Sequence, residues 1–234
     1  MSLFAIGDLH LSLSTNKPMD VFGGRWENYV EKIKSGFSQL TDDDITVLCG
    51  DISWGMDLAD CLADFLFIEA LPGKKIILKG NHDYWWTTLT KANRFFADHS
   101  IDSLSLLHNN CHMLGDVAIC GTRGWFFEEE TGTEQDKKVR NRELMRLAAS
   151  LKAADKAGAR EKLCFFHYPP RYRDYVCEET VNIMSTYNVR HCFYGHIHGA
   201  TGHRLAVQGD VDGIMYTMIS ADYLEFTPRL IDLL

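Results

Sequence analysis

Six times along this chain a short apolar run breaks off into a polar cluster. The run at Leu3–Ile6 ends at Gly7-Asp8-Leu9-His10, and the run at Ile45–Cys49 ends at Gly50-Asp51. KIILK, at 75–79, ends at Gly80-Asn81-His82-Asp83, and VAICG, at 117–121, at Thr122-Arg123-Gly124. KLCFF, at 162–166, ends at His167-Tyr168-Pro169-Pro170, and HCFY, at 191–194, at Gly195-His196-Ile197-His198. Apolar runs of this length without alternation predict strands buried on both faces.

Between the runs, apolar residues recur at helical spacing. Trp26, Tyr29, Val30, Ile33, Phe37 and Leu40 form one such series. Leu58, Cys61, Leu62, Phe65, Phe67, Ile68 and Leu71 form another. The spacing also predicts helices over about Glu134 to Lys156 and near Asp174 to Tyr187. From Arg204 to Leu233 the chain reads as strand-rich, with strands at Met215–Ile219 and Arg229–Ile231, while Ser12 to Arg25 reads as a loop. Strands alternating with helices predict an α/β fold with helices covering sheet faces. A length of 234 residues fits one domain over 1–234.

In open α/β sheets, functional groups collect beyond the carboxyl ends of the strands. If these strands are parallel neighbours, their clusters converge on one edge. The converging residues are then Asp8, His10, Asp51, Asn81, His82, His167, His196 and His198. Carboxylate and imidazole together suit zinc, manganese or iron. The set exceeds what one ion needs and suits two ions sharing a carboxylate. Asp-x-His and His-x-His put their outer side chains on the same side of an extended segment. Without a cation, so many polar groups gathered at strand ends would each need a partner. Asp83 is expected to cap a helix near Thr87 to Ala97, the ordinary task of Asp at a helix start.

The net charge of -8 works against extended nucleic acid and anionic lipid as partners. No run approaches the roughly 20 apolar residues of a membrane helix. MSLFAIGDLH reads as a strand and lacks the basic flank of a secretory leader. Seven cysteines without a CxxC pair read as reduced, mostly buried thiols. The expected location is the cytoplasm; the oligomeric state is not legible.

The motifs GDLH, GDIS, GNHD, FFHYPP and GHIH, spread from Asp8 to His198, resemble those of the calcineurin-like metallophosphoesterases. The resemblance implies a four-layer αββα sandwich with two mixed β-sheets and a binuclear metal site. By match, Asp8, His10 and His198 would hold one ion, Asn81, His167 and His196 the other, and Asp51 would bridge them. The ions, divalent or trivalent, would be manganese, iron or zinc. The implied reaction is hydrolysis of a small phosphomonoester or phosphodiester. The ions, about 3.5–4 Å apart, would make hydroxide available near neutral pH. His82 would act on the leaving oxygen, a contribution of roughly 10²–10⁴-fold.

The sequence departs from one branch of that family. Its serine/threonine protein phosphatases follow the second GD with a carboxylate that orients the catalytic histidine and an arginine that holds phosphate. Here Trp54 and Gly55 stand in those places. Arg123 is a substitute phosphate ligand, or else a partner of the acidic run Glu128-Glu129-Glu130. Aromatics crowd the motifs: Trp54, Tyr84, Trp85, Trp86, Trp125, Phe126, Phe127 and Tyr168. They stack on a nucleobase, at roughly 1–3 kcal/mol per base, or pack loops against the sheet edge. Trp54 and Tyr168 are substrate-binding candidates, and Tyr223 a further pocket wall. Two alternatives stand beside the phosphoesterase: a non-catalytic metal-binding scaffold for protein partners, and a nuclease acting on short oligonucleotides.

Overall fold

The computed structural model describes residues 1–126 and 132–232. In chain order the elements are β1 (Leu3–Ile6), α1 (Tyr29–Phe37), β2 (Ile45–Cys49), α2 (Leu62–Glu69), β3 (Lys74–Leu78), α3 (Leu89–Asp98) and β4 (Leu104–Leu107). Then come β5 (His112–Leu114), β6 (Val117–Thr122), α4 (Glu134–Lys156), β7 (Glu161–Phe166), β8 (Arg171–Tyr172), β9 (Tyr175–Val176) and α5 (Glu178–Thr186). The chain closes with β10 (His191–Tyr194), α6 (Gly199–Leu205), β11 (Gly209–Val211), β12 (Ile214–Met218) and β13 (Arg229–Ile231). These form two compact units, Met1–Leu106 with Ile219–Leu234, and Leu107–Met218. Each carries one of the two mixed β-sheets expected of the α/β fold.

The sheet of the first unit has the order β13-β1-β2-β3-β4. Strands β1, β2 and β3 are parallel neighbours, Ala5 lying opposite Val47 and Val47 opposite Ile76, and β13 closes the edge antiparallel. The polar clusters after these three strands therefore leave the sheet at one edge. One sheet face carries Ile6, Leu48 and Ile77, which share a core with Ile33 and Phe37 of α1, Phe65 and Ile68 of α2, and Ala92 and Phe96 of α3. Burial at i and i+4 gives α1 and α3 an apolar face, while α2 is apolar over most of its length.

The sheet of the second unit has the order β11-β12-β10-β7-β6-β5. Strands β6, β7, β10 and β12 run parallel, and the two outer strands are antiparallel hairpin partners. Here Cys120, Cys164 and Cys192 lie side by side, all fully buried. Burial holds the Cys164 and Cys192 thiols well above their ordinary range and lifts Cys120 to about 12. The seven cysteines are free, as the sequence implied.

Helix α4 spans the predicted residues and starts with a capping box: the Thr133 hydroxyl accepts from Asp136 N, and the Asp136 carboxylate accepts from Thr133 N. Several short elements were not foreseen, among them α6 at Gly199–Leu205, which begins ahead of the stretch read as strand-rich, strands β4, β5 and β8, and Tyr175–Val176, a short strand where helix α5 was expected to begin. Among the described residues no helix is long and apolar enough to cross a membrane.

Candidate metal centre

In the first unit, chain and side chain together fix the donor positions. After β1, Asp8 N donates to Gly50 O at 2.9 Å, and His10 N to Asp51 O at 2.8 Å, so the GDLH and GDIS loops run side by side. Asp8, His10 and Asp51 all have positive φ, between 47° and 61°. Non-glycine residues adopt that conformation at a cost of order 1–3 kcal/mol, and such strain concentrates at functional sites. Asp8, His10 and Asp51 are nearly sealed from solvent, at 0%, 4% and 2% exposure. His10 Nε2 faces Asp51 Oδ2 at 3.7 Å. Two ligand atoms each about 2.0–2.2 Å from one ion can stand that far apart.

The GNHD loop after β3 is pressed against Asp51. A Cβ on Gly80 would lie 2.1 Å from Asp51 Oδ1 and 2.2 Å from Asp51 N, so only glycine fits there. His82 N donates to Asp51 Oδ1 at 2.8 Å. Asn81 and His82 are half-buried at the same sheet edge as Asp8, His10 and Asp51.

Asp83 does not cap the next helix. Thr88 does, its hydroxyl accepting from Lys91 N. The carboxylate of Asp83 is fully buried and accepts from Gly80 N at 2.7 Å, Asp51 N at 2.9 Å, Ile52 N at 2.9 Å and Trp85 Nε1 at 2.9 Å. It thus ties the GDIS loop to the GNHD loop. Desolvation, and then the charge of Asp51, push its carboxyl up from the ordinary carboxylate range, against the pull of these donors.

A second buried carboxylate does similar work one loop away. Asp64, on α2, accepts from Leu13 N at 2.8 Å and from the Ser53 hydroxyl. Burial raises its carboxyl above the usual range. The residue was not singled out from sequence. Its signal was there: it shares the inward series Cys61, Phe65 and Ile68, where a carboxylate needs buried partners.

Around His82 the structure supplies aromatic neighbours. Its ring lies 4.4 Å from that of Trp54, which itself stacks on His10 at 5.1 Å and 23°. Nδ1 of His82 is 3.4 Å from the Tyr84 hydroxyl. Trp54 is thus a wall shared by a candidate ligand and the candidate catalytic histidine. Trp85 and Trp86 go elsewhere: Trp85 packs edge-on to Phe65 at 4.9 Å, and Trp86 leans on Trp85 at 5.2 Å.

In the second unit, His167 follows β7 and His196 follows β10, with Gly195 N donating to Phe166 O and His167 O. His196 has φ of 69°. Its Nδ1 faces His167 Nε2 at 3.2 Å, again a separation two ligands of one ion can have. His198 stands two residues on, half-buried, at the start of α6. Tyr168 is buried against the His196 ring at 4.3 Å, with Trp125 edge-on at 5.3 Å.

Arg123 follows β6 but is engaged. Its guanidinium lies 3.3 Å from Glu143 of α4 and 4.9 Å from the Trp125 ring. Its carboxylate partner is therefore Glu143; the acidic run Glu128-Glu129-Glu130, like Phe127, lies outside the described residues. Tyr223 is half-buried in the first unit, in the turn where its N donates to Ser220 O.

No curated protein matches this chain. Two solved structures share its fold over 98% of this chain and 95% of their own. One is a phosphopantetheinyl hydrolase from Mycobacterium tuberculosis, 14% identical with a TM-score of 0.61. The other is a protein of unknown function, AQ665, from Aquifex aeolicus, 15% identical with a TM-score of 0.51. The model of the calcineurin-like phosphoesterase family matches residues 1–200, which hold every donor described above. The chain belongs to the calcineurin-like phosphoesterases, enzymes of metal-dependent phosphoester hydrolysis.

Proposed function

We propose that this enzyme uses two metal ions to hydrolyse a small phosphomonoester or phosphodiester, nucleotides included. In this reading Asp8, His10 and His198 hold one ion, Asn81, His167 and His196 the other, and Asp51 is shared; manganese, iron and zinc suit the donors. When bound, such ions supply Lewis acidity and lower the pKa of a water molecule.

The observation that carries the reading is the facing of donor atoms inside each unit: His10 Nε2 to Asp51 Oδ2 at 3.7 Å, and His196 Nδ1 to His167 Nε2 at 3.2 Å. Imidazoles and carboxylates turned toward one another in buried surroundings fit a cation between them. The two carboxylates, Asp8 and Asp51, bring two negative charges to offset the ions. His82 is the proton donor to the leaving oxygen. With the Tyr84 hydroxyl at Nδ1, the ring offers Nε2 to that oxygen. Trp54 limits how the His82 ring turns, taking part of the orienting work that a carboxylate does in the protein phosphatases.

The test is elemental analysis of untreated protein joined to a hydrolysis screen with manganese added. The screen spans monoesters, linear diesters, cyclic nucleotides, short oligonucleotides and a phosphopantetheinyl ester, the last because an enzyme named for that group shares the fold. Metal in the protein and turnover of at least one ester are expected. A metal-loaded protein that cleaves none of them contradicts the proposal and leaves the scaffold reading in its place.

A further inference from the structure

Trp54 and Gly55 stand where the protein phosphatases have a carboxylate and a phosphate-holding arginine, so neither position supplies a cation to the phosphoryl group. Arg123 is already paired with Glu143 and stacked on Trp125. The first unit holds a different cation, exposed Lys17, on the indole ring that His82 touches. Lys17 Nζ sits 5.2 Å from the centroid of the Trp54 ring, whose own centroid is 4.4 Å from that of His82 and 5.1 Å from that of His10. Among the described residues that ring is the only partner of the ammonium.

The placement is built into the loop. On one side, Leu13 N donates to Asp64, whose other oxygen takes the Ser53 hydroxyl, so the loop and the segment leading into Trp54 share one anchor. On the other side, Met19 is buried in the core, at 7% exposure. Pro18 follows Lys17 and biases its backbone toward the extended region. Between these fixed points the side chain reaches over the indole. A lysine on an aromatic face keeps its charge and its three donors.

We infer that Lys17 is a substrate-binding residue, its ammonium held on Trp54 to take the non-bridging oxygens of the phosphoryl group that His82 serves. This rests on the proposed phosphoester hydrolysis. A cation held by a ring instead of a carboxylate retains its full attraction for an incoming anion, and phosphate oxygens are strong acceptors for it.

Lys17→Met keeps an unbranched apolar side chain and removes the charge; Lys17→Arg restores it. Steady-state kinetics with 4-nitrophenyl phosphate and inhibition by inorganic phosphate are measured on metal-loaded protein. Loss of one charged hydrogen bond predicts a KM and a phosphate inhibition constant each raised about tenfold in Lys17→Met, largely recovered in Lys17→Arg. Lys34→Met, an exposed charge on α1, controls for net charge and leaves both constants in place. Constants unchanged in Lys17→Met, or a loss confined to kcat, overturn the inference. If wild-type protein hydrolyses no ester, the proposed function fails by itself. Calorimetric titration of inorganic phosphate into wild type and Lys17→Met then still tests the lysine: equal affinities overturn the inference.

Discussion

Asp83→Asn is the sharpest probe of how the loops are held. The carboxylate is fully buried and divides its donors between two oxygens: Oδ2 accepts from Gly80 N and Asp51 N, and Oδ1 from Ile52 N and Trp85 Nε1. An amide of the same shape has one oxygen. Whichever way it turns, its NH₂ faces two N–H groups and leaves both without an acceptor. Each buried unsatisfied donor costs about 1–3 kcal/mol, and relief of a buried charge offsets part of that. A net loss of about 3 kcal/mol is expected. For a chain of this size that is a fall in Tm of roughly 6–12 °C. Urea unfolding at pH 8, with the m-value checked for constancy, gives the free energy. Elemental analysis of the same sample gives the second readout, because Asp51 N is one of the released donors, and metal content is expected to fall. An unchanged unfolding midpoint with full metal content would refute the claim that Asp83 joins the two loops.

Three further outcomes are expected. Gly80→Ala places a methyl 2.1 Å from Asp51 Oδ1, so the loop must move; metal content and turnover fall together in elemental analysis and a phosphatase assay, and wild-type values in both would show that the close approach does not matter. His82→Ala keeps its metal and loses roughly 10²–10⁴-fold in turnover; unchanged turnover removes His82 from the chemistry. Lys75 is sealed in the core, where its ammonium donates to Leu71 O, and desolvation lowers its pKa to about 8, against about 10.4 in the unfolded chain. Between those values the unfolded chain holds the extra proton, so stability rises with pH there, by roughly 3 kcal/mol in all. Urea unfolding of wild type and Lys75→Met across pH 7 to 10.5 is expected to show the difference moving in favour of wild type, and parallel pH profiles would contradict it.

Much of the fold was legible because the strands are short, continuous apolar runs and the long helix α4 carries its own cap. The gaps have physical causes. Gly199–Leu205 holds two glycines and no buried residue, so it has neither helix propensity nor an amphipathic stripe to reveal it. Tyr175–Val176 pairs with Arg171–Tyr172, a contact that periodicity does not encode.

For the site, the imidazole and carboxylate donors and their strand-end positions could be read directly. Asp83 could not, because a carboxylate just before a helix looks the same whether it caps that helix or reaches back across two loops to Asp51 and Ile52. Glu143 as the partner of Arg123, and Lys17 over Trp54, are pairings between distant positions in sequence; only the folded chain brings them together. The aromatic residues divided as packing energetics favours: Trp85, Trp86, Trp125 and Phe126 pack on other rings, and Trp54 and Tyr168 lie against site histidines.

In the proposed site one carboxylate, Asp51, serves two cations. Metal stoichiometry of wild type and Asp51→Asn, measured by elemental analysis after equilibration at a series of free manganese concentrations, tests it most directly. Two ions per chain are expected in the wild type, and in Asp51→Asn both are lost over the same concentration range. A single ion in the wild type, or loss of one ion while the other binds as before, contradicts the account.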